Sequence, residues 1–486
     1  MKAAAVGTEG RMELTGAGQE APAGEGGRGL VMLTKMLGRG AVRTTLLIFL
    51  CFLLTSTSWL SWEYHLLTLI PSGVSDFCTM GIGYLLQAAG IGIFVLLVRR
   101  RGHLAGGLFT GAMILHFLCM LPAVLSSFGA AVLAFGFLMN VCCGLIAGFY
   151  LYELTLLAEE GGRARVFAVG YGLSILASWL LSRIRGGSIY YSGRVAVIVL
   201  ILTLMTLLIV RGTRRDTSPQ ETAPPLVKGI PGGRRFFLLL CALAVLFSIV
   251  NSTGFAFSSA DLLESVNVES SRLIYAVGLA AAGIITDRSR KYGAVCALAA
   301  LIMPFMILSL KGEALPATIF WALSYFTFGF YSVFRIILFS DLALSSGLLY
   351  LSALGLMLGR IGDALGEILC LLFGNSLVVM VILTALLFAA AFAVFFKVYA
   401  RLYIPQTVRE QTEKEKFDAF SREHDLSARE KDMLRLILQE KTVHEIAEDL
   451  SISDNTVKYH VKNILQKTGC RTRKILIDVY RDGKEA

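Results

Sequence analysis

Two groups of residues in this chain have types and spacing that suit chemistry. Near the C-terminus, in "SDNTVKYHVKNILQK", Asn455, Thr456, Lys458, Tyr459, Lys462 and Asn463 place amides, a hydroxyl, a phenol and two ammonium groups on or beside one side of a helical wheel. Amides pair with base edges and ammonium groups neutralise phosphates, so the set suits a polyanion such as double-stranded DNA. Far upstream, in "GLMLGRIGDALGEILC", Arg360, Asp363 and Glu367 fall at spacings of three and four inside an apolar run and share one helical face. A charge at mid-bilayer costs about 2.5 to 3.5 kcal/mol, so this face must turn toward a cavity or partners. Two readings stand open for it. One is a ligand or proton site in the bundle; the other is an Arg360–Asp363 pair with an uncharged Glu367, holding helices together.

Nothing comparable suits catalysis. There is no nucleotide-binding loop, no metal-ligand cluster and no nucleophile with a local base, so no enzyme, cofactor or metal is expected. Eight of the nine cysteines sit in or beside apolar runs without zinc spacing, and Cys470 in the polar tail reads as a packed thiol.

The elements that must position these residues differ sharply. The 486 residues are 55% hydrophobic and 16% charged, with mean hydropathy +0.68, which makes a multi-span membrane protein the expected class. Apolar runs long enough to cross a bilayer begin near residues 44, 77, 104, 128, 165, 194, 236, 272, 293, 315, 344 and 376. The widest polar break, 211–235, divides them six and six, as two repeated halves would be. Lys and Arg gather before the first run, after the second, in the central loop and after the eighth, which puts both termini in the cytoplasm. The loop Arg183–Arg194 disagrees, placing three arginines outside. The stretch "STSWLSWEYH", with Trp59, Trp62 and Tyr64, reads as an interface anchor or the lining of an outer vestibule.

Beyond Leu402 the grease stops. Residues 403–425 are charged without a packing stripe and read as a linker with some helical content. Ser427 with Glu430, and Thr442 with Glu445, are capping boxes that open two helices, and Ser453 caps a third. In that third helix Val457, Val461, Ile464 and Leu465 form the core face, and His460 lies nearer the core than the solvent side. Charge separates too. Leu426 to Leu450 holds four Lys/Arg against six Asp/Glu, whereas Ser451 to Lys474 holds six against one. A domain that approaches a polyanion with one helix needs this segregation.

Two resemblances follow. The six-plus-six layout, with Gly283, Asp287, Arg288 and Gly293 in "GIITDRSRKYG", resembles the major facilitator superfamily of secondary transporters, although the loop after the second span lacks the aspartate. The segments "LSAREKDMLRLI", "HEIAEDLSISDNTVKYHVKNILQKTG" and "RTR" closely resemble the DNA-binding domain of the LuxR/NarL family of bacterial transcription regulators. That resemblance implies a four-helix domain whose third helix, from Asp454, enters the major groove. It gives Lys458, Tyr459 and Lys462 to base-edge or phosphate contacts, Thr456 to backbone phosphate, and the last helix, Arg473 to Tyr480, to homodimerisation. Glu440 stands where the family usually has Gly, and Thr468 where it usually has Leu.

The expected architecture is all-α. A disordered segment 1–40 leads into about twelve membrane helices over 41–402, followed by linker 403–425 and a helix-turn-helix domain 426–486. The expected function is a one-component transcription regulator in the bacterial cytoplasmic membrane, with a sensor or anchor bundle. Its expected partners are double-stranded DNA, the lipid bilayer, a small molecule in the bundle, a second copy, and RNA polymerase. A secondary transporter carrying a regulatory DNA-binding tail is the alternative.

Overall fold

The computed structural model describes residues 39–157, 162–184, 193–216, 233–262, 268–309, 314–403 and 406–482, and every regular element among them is helical. The expectation of disorder over 1–40 falls almost wholly outside the described residues, as do most of the central loop and the core of the Arg183–Arg194 loop. The chain divides into two compact units that meet between Tyr399 and Ala400.

Among the described residues the membrane unit holds six main helices on each side of the central loop. The first six are α1 (Arg39–Leu67), α2 (Gly83–Arg100, entered through Ser72–Asp76 and a π-helical turn Phe77–Ile82), α3 (Ala105–Leu125), α4 (Gly129–Leu157), α5 (Arg163–Arg183) and α6 (Arg194–Asp216). The second six are α7 (Gly233–Leu262), α8 (Val268–Arg288), α9 (Arg290–Ala300, resumed at Met303–Ser309), α10 (Ala314–Ser346), α11 (Leu354–Phe373) and α12 (Leu377–Tyr403). Among the described residues nine helices are long and apolar enough to cross a membrane. The three of the twelve that do not meet that measure are α8, which ends in Asp287 and Arg288, the interrupted α9, and α11, which carries Arg360, Asp363 and Glu367.

One boundary moves from its expected place. The eleventh helix starts at Leu354 rather than near residue 344, because α10 runs on for 33 residues. Gly347 then ends it with φ +69, a left-handed conformation that costs glycine little. Within the unit α7 packs along α11, α8 along α10 and α2 along α4, while α5 against α8 and α2 against α11 join the halves. The α2–α11 packing brings the charged face of α11 against the first half.

The second unit holds α13 (Gln406–Glu423), α14 (Ala428–Leu438), α15 (Val443–Asp449), α16 (Asp454–Lys467) and α17 (Arg473–Asp482). Met433, Leu434, Ile437, Ile446, Val457, Ile464 and Leu476 are buried in one core, each removal from water contributing roughly 1.5 to 3 kcal/mol. Cys470 is buried with them, as its packed reading requires. The stretch 403–425 departs from the linker reading. Its helical content is as expected, but Phe417 is buried in the same core and Phe420 packs edge-on against Tyr480. Two aromatic side chains one turn apart suffice to dock a helix that is otherwise polar, and a search for a long apolar stripe passes over them.

Candidate nucleic-acid interface and intramembrane charge cluster

Local chemistry builds the tail site. Ser427 Oγ accepts the Glu430 N–H while Glu430 Oε2 accepts the Ser427 N–H at 2.8 Å, and Thr442 with Glu445 repeats the arrangement at 3.3 and 2.6 Å. Ser453 Oγ accepts the Thr456 N–H at 3.2 Å and starts α16. Between α15 and α16 the turn is closed by Ser451 at φ +51, with the Ile452 N–H donating to the Ala447 carbonyl at 3.0 Å. A short helix, a tight turn and a longer helix therefore stand in the helix-turn-helix order.

Helix α16 buries Val457, Val461 and Ile464. Asn455, Lys458, Tyr459 and Lys462 are exposed, Tyr459 to 63% of its surface, and Thr456 and Asn463 are half-buried at the edge. All six candidate residues thus lie on or beside one outward side. The Thr456 hydroxyl pairs with Ser453 Oγ at 2.9 Å, which fixes its orientation at the helix start. His460 is half-buried beside Tyr459, and its Nδ1 has no hydrogen-bond partner among the described residues.

Not every lysine of the helix belongs to that outward set. Lys467 Nζ donates to Glu430 Oε2 and to the Asp425 carbonyl, both at 2.8 Å, so it ties the end of α16 to the start of α14. Burial raises the affinity of Glu430 for a proton, but the hydrogen bonds from Lys467 and Ser427 outweigh it and hold the carboxyl below its ordinary range. Arg473 is likewise structural. Its guanidinium donates to the Lys441 carbonyl at 2.5 Å, and burial lowers its proton affinity.

In the membrane unit, Arg360 and Asp363 come together as their spacing predicts, with Nη1 to Oδ2 at 3.7 Å. The partner that sequence reasoning passed over is Arg335 on α10. Its Nη1 lies 3.5 Å from the same Asp363 oxygen and donates to the Tyr331 hydroxyl at 2.7 Å, and the residue is 7% exposed. The available signal was an arginine inside an aromatic, apolar stretch. In the sequence it sits as if near a helix end, whereas α10 continues to Ser346. Tyr331 in turn bonds Ser248 of α7. Glu367 is buried one turn beyond Asp363, and among the described residues no basic nitrogen lies within 4.0 Å of it, so it does not join the pair.

Glycines make this closeness possible. A Cβ at Gly359 would collide with the Arg335 guanidinium, and at Gly362 and Gly366 it would meet the side chains of Ser248 and Ser252. The small-residue row of α11 is therefore a packing device between α7, α10 and α11. Trp62, in the upstream aromatic stretch, is fully buried and donates to the Val132 carbonyl at 3.0 Å, so it is neither an interface anchor nor a vestibule wall. The "GIITDRSRKYG" segment forms a second ionic cluster. Asp287 accepts the backbone N–H groups of Ala164 and Arg165 at the start of α5, and Asp341 of α10 bridges Arg163 and Arg290.

Residues 424–480 match the model of a family described as bacterial regulatory proteins, luxR family. Spore germination protein GerE of Bacillus subtilis (strain 168) is 38% identical over 60 residues, which are 12% of this chain and 81% of that protein. The chain belongs to the luxR family of bacterial regulatory proteins. Over the membrane unit, a crystal structure of a major facilitator superfamily transporter, FucP, in the outward conformation superimposes with TM-score 0.53 at 11% identity, covering 74% of this chain and 99% of that one. A crystal structure of a variant of the E. coli fucose:proton symporter FucP gives TM-score 0.48 at 11% identity over 72% and 98%. The first of these superpositions shows the major facilitator fold and, at that identity, the fold alone.

Both luxR-family departures have a local account. Glu440 adopts φ +63 at the turn between α14 and α15, the left-handed conformation for which glycine is suited. Thr468 is buried, and its hydroxyl donates to the Ile464 carbonyl at 2.8 Å, so a polar residue occupies the site without an unsatisfied group. The luxR domain and the facilitator-like bundle are consecutive parts of one chain.

Proposed function

We propose that this protein is a membrane-embedded one-component transcription regulator whose bundle receives a small molecule and whose luxR-family tail reads promoter DNA. The observation that carries the reading is the division of α16. Its apolar side is spent on the core, while Asn455, Lys458, Tyr459 and Lys462 stand exposed on a DNA-binding domain in the same chain as the transporter fold. Lys458, Tyr459 and Lys462 then contact base edges or phosphates, Asn455 and Asn463 flank them, and Thr456 holds a backbone phosphate. The Lys/Arg distribution supports a cytoplasmic location for both termini, with the tail beneath a bacterial cytoplasmic membrane. Ile475 is 40% exposed on α17 and supports pairing of two tails through that helix, by which two weak sites gain from effective concentration. RNA polymerase is the partner an activating output would require.

The test uses fragment 400–486 with DNA from its own promoter region. Binding should weaken steeply with salt, and Lys458→Ala with Lys462→Ala should flatten the log–log slope by roughly 2, at about 0.9 for each phosphate that is no longer neutralised. An unchanged slope in that double variant removes the assignment of the face.

A second reading, a secondary transporter with a regulatory tail, draws on Glu367, a carboxyl buried on α11 with no basic partner among the described residues. Proton-coupled uptake into vesicles that Glu367→Gln abolishes would establish it.

A further inference from the structure

The membrane unit holds a half-open cavity of about 270 Å³ between α1, α2, α5, α8 and α10, walled by the rings of Trp59, Tyr84, Tyr171, Trp179 and Tyr275. That volume is near the lower end of ligand cavities, about 300 to 1,000 Å³, and suits a body of one or two rings. Trp59 and Tyr84 lie nearly parallel, 19° apart, and Tyr171 meets Tyr275 edge to face. The indole N–H groups of Trp59 and Trp179 are buried and have no acceptor among the described residues.

Behind one wall of this cavity the charges do not balance. The Arg360 guanidinium sits 4.4 Å from the centre of the ring of Tyr84, which lines the space. Among the described residues Arg360 and Arg335 share a single carboxylate within ion-pair distance, that of Asp363, and the Nε of each guanidinium is buried with no acceptor. Glu367 is not within 4.0 Å of either arginine. Two guanidinium groups against one carboxylate leave an excess positive charge inside an apolar bundle, where a lone charge is unfavourable until a counter-ion arrives.

We propose that the cavity is a binding site for an organic anion, a carboxylate carried on a flat ring body. The ring stacks among Trp59, Tyr84 and Trp179, and the carboxylate accepts from an unmet indole N–H of the lining and offsets, across the Tyr84 ring, the excess charge of the Arg335–Asp363–Arg360 group. The inference rests on the reading that the bundle receives a small molecule, and it adds the sign of that molecule's charge and the shape of its body. A neutral ligand of the same shape meets the rings but leaves the charge uncompensated, and a cationic one adds to it.

The full chain in lipid nanodiscs tests this with three probes of one shape: 2-naphthoate, 2-naphthamide and 2-naphthylmethylammonium. Binding is read by quenching of tryptophan emission and by the thermal midpoint. The anion should bind at least about tenfold more tightly than the amide, and the cation more weakly than either. Arg360→Gln should bring anion and amide within about twofold, whereas Arg360→Lys should retain most of the preference. Equal binding of acid and amide by the unaltered protein, tighter binding of the cation, or no binding of naphthoate at millimolar concentration overturns the proposal without recourse to any variant. Retention of promoter DNA by the same preparations separates the two readings. DNA held by a preparation that binds acid and amide alike removes the anion site and leaves the regulator; preference for the acid without DNA binding does the reverse.

Discussion

Three lysines project from α16, and Lys467 should behave unlike the other two. In fragment 400–486, Lys467→Met removes two hydrogen bonds of 2.8 Å, one to Glu430 Oε2 and one to the Asp425 carbonyl. The Lys467 side chain is 37% exposed, so solvent screens the pair, and its direct worth is about 0.5 to 1 kcal/mol. The Glu430 side chain, however, is only 5% exposed and is left with Ser427 as its donor, which adds a desolvation cost of comparable size. A loss of about 1 to 2 kcal/mol follows, which for a unit of this size lowers the thermal midpoint by roughly 5 to 10 °C. Urea and thermal unfolding measure it, and a Lys467→Met, Glu430→Gln cycle should return a coupling of about 1 kcal/mol. Lys458→Ala and Lys462→Ala should each stay within about 0.5 kcal/mol of the parent, because neither side chain is packed. The reasoning is refuted if Lys467→Met unfolds at the parent temperature and instead weakens DNA binding as the other two do.

Three further outcomes follow from the same unit. Because the Glu430 carboxyl is held below its ordinary range in the folded state, its contribution is complete above the unfolded value of about 4.3 and is lost as pH falls through the lower folded value. An acid unfolding series should therefore show Glu430→Gln with a weaker pH dependence below about pH 4.3 than the parent. Phe417→Ala should cost about 3 kcal/mol in chemical denaturation despite its place in a charged helix, and no change would return that helix to a linker. Glu440→Gly should leave stability the same or raise it by up to about 1 kcal/mol, since φ +63 strains a residue with a Cβ; a marked loss would mean that Glu440 is held there by its neighbours.

The sequence carried the tail unusually far, and the membrane unit only in outline. Both capping boxes, the Ser453 cap and the buried row of Val457, Val461 and Ile464 follow from short-range spacing, and helical geometry is short-range. What escaped depends on pairings distant in the chain. Lys467 meets Glu430 across 37 positions, so a wheel that groups lysines by angle cannot separate it from Lys458. Arg335 on α10 reaches Asp363 on α11 only because glycine at 359 opens the space, and no periodicity announces that. In the bundle, hydropathy placed the helices, but lipid-facing and core-facing positions are alike apolar. The cavity rings therefore drew attention only at Trp59 and Tyr64, and their partners Tyr84 and Tyr275 gave no signal.

A membrane-anchored luxR-family tail that reads DNA through the outer side of α16 must leave its footprint on the chromosome. The most direct measurement is genome-wide mapping of DNA bound to the intact protein in its native membrane, compared with the Lys458→Ala, Lys462→Ala double variant at equal abundance. Discrete peaks at one or a few promoters are expected for the parent, and their disappearance in the variant. Absence of peaks in the parent, or peaks unchanged in the variant, would contradict that reading.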